Sequence, residues 1–169
     1  MSTLYVDNLQ PNLGSRVMAA GHVVNVVQGT LTAQTESSAA TGTEVDINLY
    51  TPVITPSAQT NKQKINVASL SLRVRDSSTY AALVLERKIG TGSWTKLVAF
   101  AEYFGEGPQE GYPTLDYLDT PNTTDTIQYR IIGKRIGGTA NVAYMHNSTA
   151  SHFSGISSVA TITAMEIAQ

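Results

Sequence analysis

The side chains best suited to catalysis or metal binding are few in this sequence and poorly spaced for either task. His22, His146 and His152 are the three histidines, and no two of them stand in the His-x-His or His-x3-His spacing that places two imidazoles on one metal. A metal shared on a symmetry axis, with one imidazole from each subunit, has nothing in the sequence to support it. Cysteine is absent, which removes both a thiolate nucleophile and a thiolate metal site. There is no Gly-x-Ser-x-Gly elbow, and Gly90-x-Gly92 opens a hairpin rather than the helix a phosphate-binding loop requires. No catalytic residue, metal site or cofactor is expected.

Two features deserve weighing against that reading. Asp116 and Asp119 lie near Glu102, Glu106 and Glu110, and a glycosidase acid pair needs two carboxylates facing each other about 5 to 9 Å apart across a cleft. Carboxylates beside Gly and Pro more often form turns or carry solvated charge, and that is the reading adopted. In the same stretch Tyr103, Phe104, Tyr112 and Tyr117 fall within fifteen residues of one another, interleaved with acids. Aromatic rings supply contact area at low entropic cost, so they are candidates for a receptor or glycan contact. The alternative, which is preferred, is that they close the end of the domain or pack against a neighbouring subunit.

The elements that must position these residues are strands. The 169 residues suit one domain, 41% of them are hydrophobic, and no disulfide or metal is needed to hold a core. Only 14% are charged, against about 25% in an ordinary soluble domain, so the surface is expected to be rich in Ser, Thr, Asn, Gln and Gly. Such a surface suits side-by-side packing, because few charges have to be desolvated at each contact. A net charge of -2 argues against nucleic acid as a partner. The basic runs Arg73 to Arg75, Arg87 to Lys88 and Lys134 to Arg135 are read as solvent-facing strand residues. The opening residues lack the basic region and apolar core of a secretory signal, and no run approaches the ~18 apolar residues of a membrane span, so neither export nor membrane insertion is expected. The triplets at Asn122 and Asn147 that match a glycosylation signal carry little meaning without export.

Period-two alternation of β-branched and polar residues dominates, and no convincing helix is present. Val45, Ile47 and Leu49 share one face of a strand that ends before Pro52. In Lys64 to Arg75 the apolar set moves from Ile65 and Val67 to Leu70, Leu72 and Val74, which predicts a β-bulge near Ala68 and Ser69 that returns both sets to one face. Tyr80 to Lys88 is nearly all apolar until Glu86, as expected of a central strand covered on both sides. Gly90-Thr91-Gly92-Ser93 turns it into a partner beginning near Trp94. Residues 103 to 121 are irregular, with three Gly and three Pro. Strands follow at Ile127 to Arg135, Asn141 to His146 and Val159 to Ile167, the last two separated by a polar loop. There is no internal repeat and no long linker.

Residues 1 to 20 differ in character. Leu4, Tyr5, Val6, Leu9 and Leu13 are too sparse to form a core, so this segment is expected to act as an N-terminal anchor on a neighbouring body or as an edge strand, with 21 to 169 forming the domain.

Several segments taken in order resemble small β-sandwich modules in virion proteins of tailed, especially marine, bacteriophages. They are Ser2-Thr3-Leu4-Tyr5-Val6-Asp7-Asn8-Leu9, Gly21-His22-Val23-Val24-Asn25-Val26-Val27-Gln28, Ile54-Thr55-Pro56-Ser57 and Leu83-Val84-Leu85-Glu86-Arg87. Leu118-Asp119-Thr120-Pro121, Ile127-Gln128-Tyr129-Arg130 and Ile162-Thr163-Ala164-Met165-Glu166-Ile167 continue the series. The resemblance implies a tail-fibre or other particle-surface protein, often trimeric, made in the host cytoplasm and working in adhesion or particle stability rather than catalysis. Because the module follows so short an opening segment, it implies a short tail fibre or tip attached through its N-terminus, or alternatively a capsid decoration protein; a carbohydrate-binding module is the more distant reading. Implied partners are copies of itself, other tail or capsid proteins and host surface glycan.

The expected fold is all-β: a jelly-roll-type antiparallel sandwich with a short extended N-terminal segment. Its core should contain Val45, Ile47, Leu49, Leu70, Leu72, Val74, Leu83, Leu85, Tyr129, Ile131, Val142 and Ile162.

Overall fold

The computed structural model describes residues 20–32, 35–37, 40–74, 80–104, 109–138, 142–145 and 159–169. Among these residues there are strands and no helix: β1 Val23–Leu31, β2 Thr35–Ser37, β3 Glu44–Tyr50, β4 Lys62–Ala68, β5 Ser71–Val74, β6 Tyr80–Ile89, β7 Thr95–Phe104, β8 Gln109–Gly111, β9 Leu115–Asp119, β10 Ile127–Gly137, β11 Val142–Met145 and β12 Ala160–Ile167. One sheet has the order β1-β12-β4-β9 and a second the order β3-β10-β6-β7. The remaining short strands pair in the order β2-β11-β5-β8, which repeats the first sheet, since β2 follows β1, β11 precedes β12, β5 follows β4 and β8 precedes β9. The first sheet is therefore four long passes of chain, each interrupted once.

Counted as passes, the chain is a rolled-up hairpin. The fourth and fifth passes pair as β6 with β7, the third and sixth as β4 with β9, the second and seventh as β3 with β10, and the first and eighth as β1 with β12. Rolling this hairpin brings β12 against β4 and β10 against β6, all antiparallel. That is the jelly roll, and it accounts for two layers built by connections that do not cross.

Alternation fills the space between the layers. Ile47, Leu49, Ile65, Val67, Leu70, Leu72, Leu83, Leu85, Tyr129, Ile131, Val142 and Ile162 are all fully buried. Val45 is a correction: it is only half-buried, because it lies near the start of β3, the edge strand of its sheet. The side chain of Val74 lies outside the described residues. The phase change after Val67 is achieved by a break rather than a bulge within one strand. Ser69 adopts φ 58° between β4 and β5, and Val67 and Leu70 both remain buried. The hairpin at residues 90–93 joins β6 to β7, with Gly90 at φ 54°. β6 is central in its sheet, and even its outward-facing Ala82 and Glu86 are buried.

The edge between the layers closes tightly at Gly29. A Cβ there would lie 1.5 Å from the Tyr50 carbonyl oxygen, so only glycine lets β1 pass β3 at this distance.

Candidate functional site

Three surfaces carry polar or exposed groups worth testing as a site: one end of the interior and the two outer faces. At the interior end, register places Glu166 beside Gln63 and Gln63 beside Asp119 across the first sheet, and all three are buried. Arg87, on the facing sheet, donates from Nη1 to both Asp119 carboxylate oxygens at 2.8 Å, and the Tyr129 hydroxyl donates to Asp119 Oδ2 at 2.8 Å. Burial, followed by the negative charge of Asp119, pushes the Tyr129 hydroxyl far above its ordinary range, so it stays a neutral donor. Glu166 Oε1 accepts from the Ser57 backbone N–H at 2.6 Å, the Ser57 hydroxyl at 2.7 Å and Asn61 Nδ2 at 2.7 Å. These carboxylates are occupied by donors of their own chain, and they tie β9 to β6 and β12 to the turn at residues 54–57.

This geometry answers the acid-pair question for Asp116 and Asp119. In a strand, residues three apart point to opposite faces. Asp119 faces the interior, while Asp116 is exposed on the outside of β9 and pairs with Lys64 at 3.2 Å. They do not face one another across a cleft. Among the described residues no group of three or more His, Cys, Asp or Glu is arranged to hold a metal ion. His22 is exposed, whereas His146 and His152 lie outside the described residues.

The outer face of the second sheet is charged and internally neutralised. Arg130 donates from Nε to Glu86 Oε2 at 2.8 Å and from Nη1 to Asp46 Oδ2 at 3.0 Å, and its guanidinium carbon lies 4.2 Å from the centre of the Trp94 ring. Lys88 Nζ sits 5.4 Å from the same ring, and Tyr50 packs against Trp94 with centroids 6.0 Å apart while its hydroxyl donates to Asp46. Lys96 donates to Glu44, with Lys134 at 4.0 Å from the same carboxylate. The hydrogen bond from Lys96 holds the Glu44 carboxyl below its usual range. Here the sequence reading of the basic runs needs correction. Arg73 is exposed as expected, but the Arg87 side chain is only 17% exposed and points inward to Asp119. Its odd position on β6, in phase with Leu83 and Leu85, is the signal that could have shown this.

The outer face of the first sheet has the opposite character. Register aligns Val23 with Ile167 and Lys62, then Val26 with Met165, Lys64 and Leu118, then Gln28 with Thr163, Asn66 and Asp116. Val23, Val26 and Leu118 are 50%, 53% and 52% exposed. Gln28 donates to the Thr163 hydroxyl at 2.9 Å. This face carries exposed Val23, Val26 and Leu118 and half-buried Met165 and Ile167 beside amides and hydroxyls, with Lys64 standing between Met165 and Leu118, Lys62 beside Ile167, and Asp116 as a further charge.

Of the aromatic residues singled out from sequence, Tyr112 and Tyr117 have described side chains. Tyr117 is half-buried on β9 and packs against the core, while Tyr112 is exposed just after β8. Tyr103 and Phe104 pair through their backbones with Ala81 and Tyr80 at the end of β7, and their side chains lie outside the described residues. Leu4, Tyr5, Val6, Leu9 and Leu13 lie outside the described residues as well. The exposed apolar side chains on the outer face of the first sheet and the Trp94–Arg130 stack were missed from sequence, because both join strands far apart in the chain.

No protein-family model and no curated protein matches this sequence. Among solved structures the chain is similar to infectious bursal disease virus Gt strain, at 15% identity and a TM-score of 0.44, covering 98% of this chain and 43% of that one. It is also similar to the VP2 subviral particle of the same virus, at 13% identity and a TM-score of 0.41, covering 98% of this chain and 42% of that one. The chain thus spans about two-fifths of the length of those relatives. The fold assignment rests on the strand order described above and not on this likeness.

Proposed function

We propose that this chain is a non-catalytic structural protein of a virus-particle surface, working as a self-associating jelly-roll subunit. The observation that carries the reading is the contrast between the two outer faces. One satisfies its charges internally and suits solvent, whereas the other presents half-exposed Val23, Val26 and Leu118 beside amides, hydroxyls and the charges of Lys62, Lys64 and Asp116, and suits a protein neighbour. The low charge of the whole chain and the resemblance of its segments to tailed-phage virion modules support the same conclusion. Within that reading the subunit is a homotrimeric short tail fibre or tip that attaches to the virion through its N-terminus and meets the host surface, with capsid decoration as the alternative position. Closed symmetry uses one patch several times and multiplies attachment without any new kind of contact.

The reading is tested by light scattering on the recombinant full chain, where a defined oligomer at tens of micromolar is expected and a monomer would overturn self-association. Mass spectrometry of purified particles should find the chain in stoichiometric amount. Its absence from them would defeat the virion assignment.

A further inference from the structure

The two sides of the sandwich are closed differently. On one side β1 and β3 meet at Gly29, where a side chain has no room. On the other, β9 and β7 end the two sheets, and among the described residues no strand pairs with the outer edge of either. The core is covered only in part there. Leu97, Val98, Phe100 and Ala101 on β7 and Tyr117 on β9 pack against it while remaining partly exposed, whereas Val27 is the one such residue described on β1 or β3.

Of these two open edges, β9 offers the regular ladder. β7 carries extra residues at Leu97 and Phe100, where its register with β6 shifts, and bulges of this kind twist an edge strand away from further pairing. β9 pairs with β4 from Leu115 to Asp119 without a shift, so its other edge stays regular. The acids of β9 are already matched within the subunit, Asp116 with Lys64 at 3.2 Å and Asp119 with Arg87 at 2.8 Å. A neighbour along this edge therefore meets no unpaired carboxylate of β9.

Resting on the self-association proposed above, we infer that β9 of one copy pairs antiparallel with β9 of a second copy about a two-fold axis at Tyr117. That axis sets Tyr117 opposite its own counterpart and Leu118 opposite Asp116 of the second copy. Because the axis stands perpendicular to the sheet, each face continues across the contact, and the second sheets of the two copies come side by side as well. Each copy then brings Leu97 and Phe100 to the partly covered side of the other. A foreign strand added to β9 would leave the β7 side open, which is why a second copy is the better occupant. The side is as long as β7, 10 residues at ~3.3 Å each, and two layers deep, or about 33 Å by about 20 Å. That makes roughly 650 Å² per copy and roughly 1,300 Å² in all, above the roughly 1,000 Å² of a specific contact. A two-fold contact uses the same patch on both copies and joins them in even numbers, so it is additional to the contact that would close a trimer.

The absence of native cysteine lets introduced thiols report the register. Full-length chains carrying Leu118→Cys alone and Asp116→Cys alone, both at exposed positions, are mixed, allowed to re-equilibrate and oxidised. Directly opposed residues have Cβ atoms about 4.5 to 5.5 Å apart, near the span of a disulfide, whereas diagonal ones lie about 7 to 8 Å apart and beyond it. A disulfide joining the two different chains is expected to predominate over either homodimer. An intact oligomer without that link, or one that links Leu118→Cys chains to each other as readily, would overturn the pairing and leave the proposed function standing. Light scattering on the wild-type chain is expected to count an even number of subunits. A plain trimer would overturn the two-fold contact alone, and a monomer would overturn the proposed function with it. Tyr117→Lys and Tyr117→Glu each set like charges opposite one another across the axis and are expected to weaken self-association by roughly tenfold, while an equal mixture of the two recovers it. Folded variants that fail to recover on mixing would overturn the axis at Tyr117.

Discussion

Asp119→Ala removes the acceptor that joins the two layers at one end of the sandwich. It leaves the Arg87 guanidinium, whose side chain is 17% exposed, and the buried Tyr129 hydroxyl without the carboxylate that each contacts at 2.8 Å. Removing one partner of a buried ion pair costs about 3 to 5 kcal/mol, chiefly because the remaining charge stays desolvated. The partial exposure of Arg87 lets water reach it, so the lower end, about 3 kcal/mol, is the value expected here. For a chain of this size each kcal/mol lowers Tm by about 2 to 4 °C, which gives a drop of roughly 6 to 12 °C. Replacing both partners, as Arg87→Met with Asp119→Leu, removes the stranded charge and should recover most of the loss. Urea unfolding followed by circular dichroism on Arg87→Met, Asp119→Leu and the double variant closes the cycle. If Asp119→Ala costs less than about 1 kcal/mol, or if the double variant is as unstable as the sum of the singles, the pair is not the buried cross-layer tie described here.

Three further outcomes follow from particular contacts. Gly29→Ala puts a methyl group 1.5 Å from a backbone oxygen that cannot swing aside, and should destabilise the domain by about 3 kcal/mol or more, whereas Thr30→Ala on the exposed side should change Tm little. Tyr129 has its folded pKa raised above the ordinary value of 10.0, so its contribution is fully present below pH 10 and is lost as pH rises further; thermal unfolding at pH 9 to 11 should show a steeper alkaline decline in the wild type than in Tyr129→Phe. Glu44 has its folded pKa lowered below 4.5, so its contribution is present above that pH and fades as pH falls; because the pair with Lys96 is exposed, Glu44→Gln should cost less than about 0.5 kcal/mol at pH 7, and high salt should erase the difference.

Strand identity and facing were legible in the sequence because they are local properties. The odd-numbered set Val45, Ile47 and Leu49 on β3 reports a period of two, and Tyr80 to Lys88 reports a strand covered on both sides, whatever the partners are. The shift of phase near Ser69 was visible for the same reason, although the pattern did not distinguish a bulge within one strand from the break at φ 58°. Alternation tells which face a side chain takes within its own strand and nothing about how that strand is set against another. The neighbours of β12 are β1 and β4, more than ninety residues away, and they follow from rolling the whole hairpin. That step alone brings Asp119 to Arg87 and Tyr129, places Arg130 over Trp94, and sets Val23, Val26 and Leu118 on one outer face. The sequence by itself determined an all-β, low-charge chain and most of its core. The tertiary structure decided which buried charges meet and which face is left uncovered, because both depend on register between strands that no local pattern encodes.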